Sequence, residues 1–144
     1  MAEQIQLEVI TPERRALAET VESVTVPGMA GEIGILPGHT PLISQLQTGV
    51  LSFVTAGAGN ATPQRLHVSG GFVEVSADRV TVLAERAERP EEIDAARART
   101  AREQAERILS AANSSDEELE QARLQLERAT VRLQLASDNQ AAAR

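Results

Sequence analysis

The hydrophobic period of this chain changes once, at Glu88-Arg-Pro90, and that change limits the possible folds more than any other feature. Up to about Glu85 the apolar residues recur at every second position. Beyond Pro90 they recur at every third or fourth. Period two marks strands with one buried face, and three-four spacing marks helices with one buried stripe. The chain of 144 residues is long enough for one or two small domains. The expected organisation is therefore β + α: an N-terminal β-sandwich or flattened barrel over residues 1–88, then an antiparallel two-helix hairpin over 89–137. Residues 138–144 are expected to be a disordered tail.

In the first half, Ile5, Leu7 and Val9 alternate with Gln4, Gln6 and Glu8, and Val24 and Val26 alternate with Ser23 and Thr25. Leu66 and Val68 flank His67, so alternation predicts an outward-facing His67. Val73 and Val75 lead through Ser76-Ala-Asp-Arg79 into Val80 and Val82, which reads as a short hairpin. Ala56-Gly-Ala-Gly-Asn-Ala-Thr-Pro63 separates two further strands and reads as a flexible hairpin tip. It fails as a phosphate loop because neither a lysine nor a helix follows it. Many short strands with regular turn signals suggest a sandwich.

In the second half, Pro90 suits a first helical turn, with Glu91, Glu92 and Asp94 near the positive end of the helix dipole. Ala98, Ala101, Ala105, Ile108 and Ala112 form one seam, and Asn113-Ser-Ser115 breaks it. Ser115 with Glu118 makes a capping box for a second helix, whose seam is Leu119, Ala122, Leu126, Ala129, Leu133 and Ala136. Alanine buries little area, so at roughly 25 cal/mol per Å² each seam contact contributes modestly. Such a hairpin can dock, undock or repack at small cost.

Composition removes several function classes. The net charge is -7, with neither half basic, which argues against duplex binding. Phe53 and Phe72 are the only aromatic residues, too few for a base-stacking platform. All 14 basic residues are arginine, so P-loop lysine and Schiff-base chemistry are absent. Any phosphate would be held by arginine forks or backbone amides. No cysteine is present for disulfides or thiolate metal sites, and two separated histidines make no metal centre. No nucleophile–base pair stands out, so an independent enzyme is not expected. No stretch approaches the roughly 18 to 20 apolar residues that cross a bilayer. The first ten residues already alternate as a strand and lack a basic leader, so the chain is expected to stay on the side of the membrane where it is made.

One segment is more particular. Gly31-Glu-Ile-Gly-Ile-Leu-Pro-Gly-His-Thr-Pro-Leu42 places three glycines and two prolines in a dozen residues, fixing a shaped loop around a short apolar strand. Ile33, Ile35 and Leu36 are expected to bury, with Glu32 and His39 at the margins. At Gly34 a larger side chain is expected to disturb the sandwich or its docking through backbone strain or overpacking. With Val68-Ser-Gly-Gly-Phe-Val-Glu-Val75, this segment closely resembles the epsilon subunits of bacterial F-type (rotary) ATP synthases. The resemblance runs from Val9-Ile-Thr-Pro12 to the arginine-bearing last helix.

That resemblance implies a non-catalytic central-stalk subunit of a proton-translocating ATP synthase, coupling rotation to synthesis and restraining ATP hydrolysis through its helices. It implies peripheral attachment at the cytoplasmic face of the bacterial inner membrane. The implied partners are the gamma subunit, the ring of proteolipid subunits and, when the helices extend, the catalytic beta subunit. Glu32 and His39 match family positions that meet the ring or stalk. Ile93-Asp94-Ala-Ala-Arg97-Ala98 resembles the family's nucleotide motif; Ile93 and Asp94 would hold adenine and Arg97 would approach the phosphates. Arg128 and Arg132 match arginines around the bound ATP, and Glu88 matches an upstream acidic member. Gln104 stands where the family has a further arginine. No cofactor is required; ATP would be regulatory. The same residues also read as solvated charge pairs on helix faces, and Glu32 and His39 as exposed polar residues. A β-sandwich adaptor with a coiled-coil arm, unrelated to rotary enzymes, is the competing reading.

Overall fold

A computed structural model describes residues 3–57 and 62–142. The hairpin tip at 58–61 and the last two residues lie outside the described residues. The chain divides into two compact units, Met1–Arg89 and Pro90–Arg144.

The described residues of the first unit form nine strands: β1 Ile5–Ile10, β2 Arg15–Gly28, β3 Gly31–Ile35, β4 Leu42–Gln45, β5 Gly49–Thr55, β6 Gln64–Ser69, β7 Phe72–Val75, β8 Arg79–Leu83 and β9 Arg86–Glu88. They follow the order β4-β7-β8-β1-β2-β5-β6-β9, with β3 added to the end of β2. The β1–β8 pair is parallel and the other ladders are antiparallel. β2 is the organising strand. Its first part pairs with β1, its middle with β5 and its end with β3. One cluster collects Ile5, Leu7, Val9, Val24, Leu51, Leu66, Val73 and Val82, so strands from both ends of the path share a single core. An open path whose inner faces converge this way is a sandwich.

Three departures from the sequence reading stand out. His67 is fully buried, not outward-facing. β6 is covered on both faces from Leu66 to Ser69, and alternation says which face a residue points to but not whether that face is covered. Leu36 is 64% exposed although Ile35 beside it is in the core. β3 ends at Ile35, and Leu36 begins the following turn. Gly34 is open rather than packed: a Cβ there would meet nothing within 4 Å.

The second unit holds a 3-10 turn at Pro90–Glu92, helix α1 at Ala95–Ser110 and helix α2 at Asp116–Ala142. The first helix begins later than expected. Pro90 sits in the separate turn, α1 carries no acidic residue in its first turn, and Asp94 is its N-cap. The capping box of α2 forms in both directions: Glu118 N–H donates to Ser115 Oγ at 3.1 Å, and Ser115 N–H donates to Glu118 Oε1 at 3.3 Å. Ala98 and Ala105 on α1 and Ala122, Ala129 and Ala136 on α2 are buried, as the alanine seam requires. α2 continues to Ala142, so residues 138–142 extend the helix where a disordered tail was expected. Leu135, outside the three-four seam, is buried as well.

Candidate functional site

The expected nucleotide residues divide between the units. Ile93, Asp94, Arg97, Arg128 and Arg132 belong to the helical unit, and Glu88 closes the last strand of the sandwich. Within the helical unit, the 3-10 turn and α1 both pack on α2, which brings the lead-in to α1 and the arginine-bearing helix together. Ile93 is half-buried, and its N–H donates to Pro90 O at 3.2 Å, closing the turn. Asp94 has extended backbone (φ -86°, ψ 99°), and its Oδ1 accepts from Arg97 N–H at 3.1 Å. That bond satisfies one of the amides left open at a helix start. Asp94 thus holds a structural role whether or not a nucleotide is present. Arg97 and Gln104 are exposed, while Arg128 and Arg132, four residues apart on α2, are half-buried.

Glu88 has a different environment from the other five. Its Oε1 lies 3.0 Å from His67 Nδ1, and the two residues stand directly opposite in the β6–β9 ladder. His67 Nε2 is buried with no hydrogen-bond partner among the described residues. A buried polar atom left in this way costs about 1–3 kcal/mol, so the imidazole is held at an expense the sequence did not reveal.

The loop after β3 is rigidly placed. Gly38, at φ 84°, donates its N–H to Ala77 O at 2.7 Å, tying the loop to the turn between β7 and β8. His39 N–H donates to Leu36 O at 3.1 Å, and His39 Nδ1 lies 2.6 Å from Thr40 O. Glu32 is exposed on β3, opposite Pro27 of β2. Met29 and Leu36 add exposed apolar surface to the same segment, Met29 to Leu36.

The sequence reading missed a second surface. Ile43 is 71% exposed, Phe72 51% and Leu83 50%; the opposite faces of β7 and β8 are buried in the core, and that of β4 is half-buried against it. Register aligns Phe72 with Leu83 and Leu83 with Ile10; Ile43 stands opposite Glu74 and diagonal to Phe72, whose direct partner on β4 is Gln45. The signal was present as adjacent apolar residues, Leu42-Ile43, Phe72-Val73 and Val82-Leu83, in strands that bury only one face. One member of each pair must point outward. Large apolar side chains exposed together on one sheet face mark a contact surface.

Among the described residues, no group of three or more potential ligands could hold a metal ion, and no helix is long and apolar enough to cross a membrane.

Comparison with known proteins bears on both units. Residues 4–90 match the family model "ATP synthase, Delta/Epsilon chain, beta-sandwich domain", and residues 91–137 match "ATP synthase, Delta/Epsilon chain, long alpha-helix domain". The ATP synthase epsilon chain of Herpetosiphon aurantiacus is 48% identical over 132 residues, covering 92% of this chain and 93% of that protein. That of Syntrophobacter fumaroxidans is 44% identical over 137 residues, covering 94% and 98%. A chain in the Euglena gracilis mitochondrial ATP synthase (OSCP/F1/c-ring) superposes with a TM-score of 0.77 at 26% identity, over 98% of this chain and 82% of that one. A chain of the Tetrahymena thermophila mitochondrial ATP synthase central stalk and c-ring, at 15% identity and TM-score 0.60, shares the fold.

Proposed function

The chain belongs to the ATP synthase epsilon family and serves ATP synthesis and hydrogen-ion transport as a central-stalk component, and we propose that it is a non-catalytic coupling subunit whose helices restrain ATP hydrolysis. Its family membership removes the reading as an unrelated adaptor. The observation that carries the coupling role is the apolar strip of Ile43, Phe72 and Leu83. A sandwich that rotates with a stalk needs a firm grip on it, and desolvating these three side chains supplies one at about 1.5–3 kcal/mol each when fully buried. The gamma subunit is the proposed partner for that strip. The segment from Met29 to His39, with Glu32, Leu36 and a loop fixed by Gly38, is the proposed contact with the proteolipid ring. Peripheral attachment at the cytoplasmic face of the bacterial inner membrane is proposed together with these two contacts.

The helical unit is the proposed regulatory element. Its alanine seam favours reversible packing, and an extended form would reach the catalytic beta subunit through α2, where Arg123, Arg128 and Arg132 provide positive charge. Regulatory ATP is proposed to bind Ile93, Asp94, Arg97, Arg128 and Arg132 of the helical unit. No cofactor is needed for coupling itself.

Reconstitution with gamma tests the central proposal. Ile43→Ser and Phe72→Ser touch no core position, so both variants are expected to fold as the parent does and to lose co-elution with gamma. Normal assembly by the double variant would remove the strip from the interface.

A further inference from the structure

Strand β9 is three residues long, ends the strand path and, among the described residues, pairs with β6 alone. A ladder this short at an edge is weak by itself. Its last residue, Glu88, stands just before the boundary at Pro90 where the helical unit begins. We propose that His67 and Glu88 form a latch holding β9 on the sandwich, and that opening the latch releases β9 into the connection between the units.

The geometry makes the latch close to all-or-none. His67 Nδ1 and Glu88 Oε1 are 3.0 Å apart, and a carboxylate is an acceptor only, so Nδ1 carries the proton. Val50, across from His67 on β5, brings no competing side-chain polar group. Nε2 has no partner among the described residues. If the Glu88 side chain alone swings away while β9 stays paired, both ring nitrogens are left without partners in the buried site. Departure is then opposed by more than the loss of one exposed hydrogen bond, and gradual fraying from the Glu88 end is suppressed. A buried apolar residue at position 67 would impose no such penalty.

Once released, Arg86–Glu88 would lengthen the connection by roughly 10 Å of extended chain, at about 3.3 Å per residue. That reach serves the hairpin movement proposed above. Only this consequence rests on that reading; the latch does not.

Native-state hydrogen exchange on the full chain tests the latch. In His67→Leu, which keeps apolar volume and removes the imidazole, the β9 amides are expected to exchange about tenfold faster. Amides of β1 and β2 should keep or gain protection, because an incompletely satisfied polar group has left the interior. His67→Asn offers an amide N–H where Nδ1 donates and is expected to restore parental protection of β9. The imidazole nitrogen spectrum should place the proton on Nδ1. Unchanged β9 exchange in folded His67→Leu, or a neutral ring protonated on Nε2, overturns the latch. If His67→Leu does not fold, Glu88→Ala breaks the same bond from its exposed side and must speed exchange in β9 selectively; a uniform change across the sandwich overturns the proposal. An immobile hairpin in the assembled synthase would instead defeat the regulatory reading while the exchange result stood, so the two failures are distinguishable.

Discussion

Gly71 and Leu83 approach so closely that a Cβ on Gly71 would occupy the space of the Leu83 carbonyl oxygen. Gly71 also has φ 96°, a region that residues with a side chain rarely adopt. This contact sets the start of β7 against the end of β8, and so fixes the register that aligns Phe72 with Leu83 on the exposed face. Gly71→Ala must shift backbone, which cannot yield as a flexible side chain can. Urea unfolding should give a loss of about 3 kcal/mol. Gly34→Ala, placed in open space with no unusual φ, should stay within about 0.5 kcal/mol of the parent. Equal effects of the two substitutions would refute this account of the glycines.

The sandwich should fold without the helices. Every residue of its core cluster, from Ile5 to Ala87, lies before Pro90. A fragment of residues 1–89 is expected to unfold cooperatively, with strand-type circular dichroism, and to co-elute with gamma. A fragment lacking a cooperative transition would show that the core needs residues from the second unit.

Where each part of this organisation was legible depends on the kind of signal. The change of period at Pro90 located the boundary because 2.0 and 3.6 residue periods are hard to confuse over long windows. The capping box at Ser115 and Glu118 was readable because it is local and nearly self-contained. His67 was misread because cover over a strand's second face comes from elsewhere in the fold, which alternation does not encode. The capping role of Asp94, which accepts from Arg97 N–H, was not legible because it depends on the helix starting at Ala95 rather than at Pro90. The strip of Ile43, Phe72 and Leu83 becomes legible only when the adjacent apolar residues of a one-face strand are divided between its two faces.

Glu32 and His39 should affect coupling without affecting folding. Glu32 is exposed, and the hydrogen bonds that fix the loop come from backbone groups of Gly38, His39, Leu36 and Ala77 rather than from the Glu32 carboxylate. Glu32→Ala and His39→Ala are expected to change stability by less than about 1 kcal/mol. In reconstituted vesicles they should lower ATP synthesis more than ATP hydrolysis. Chemical denaturation measures the first effect and proton-driven synthesis the second. Loss of folding with normal coupling would reassign both residues to structure.

Regulatory binding of ATP requires variants that separate Asp94 the cap from Asp94 the ligand. Asp94→Ala removes both functions and should cost about 1 kcal/mol of helix stability whether or not ATP binds. Asp94→Asn keeps a capping oxygen for Arg97 N–H but loses the negative charge and adds an amide donor, so helix content should stay parental. If Asp94 accepts a hydrogen bond from adenine, calorimetric titration of Asp94→Asn with ATP should show affinity reduced by tenfold or more, corresponding to about 1.4 kcal/mol or more. Arg132→Ala should weaken binding by a comparable or larger factor, since a charge-assisted contact to phosphate contributes about 1.5–3 kcal/mol. Gln104 is exposed on α1, so Gln104→Arg can add a guanidinium without disturbing the seam and should tighten binding. ATP that binds only the folded hairpin would stabilise it by about 2.7 kcal/mol at a hundredfold excess over Kd, enough to shift a weakly packed alanine seam between two arrangements. If neither the parent nor Gln104→Arg binds at millimolar ATP, the restraint on hydrolysis would have to respond to rotation and the proton gradient rather than to nucleotide.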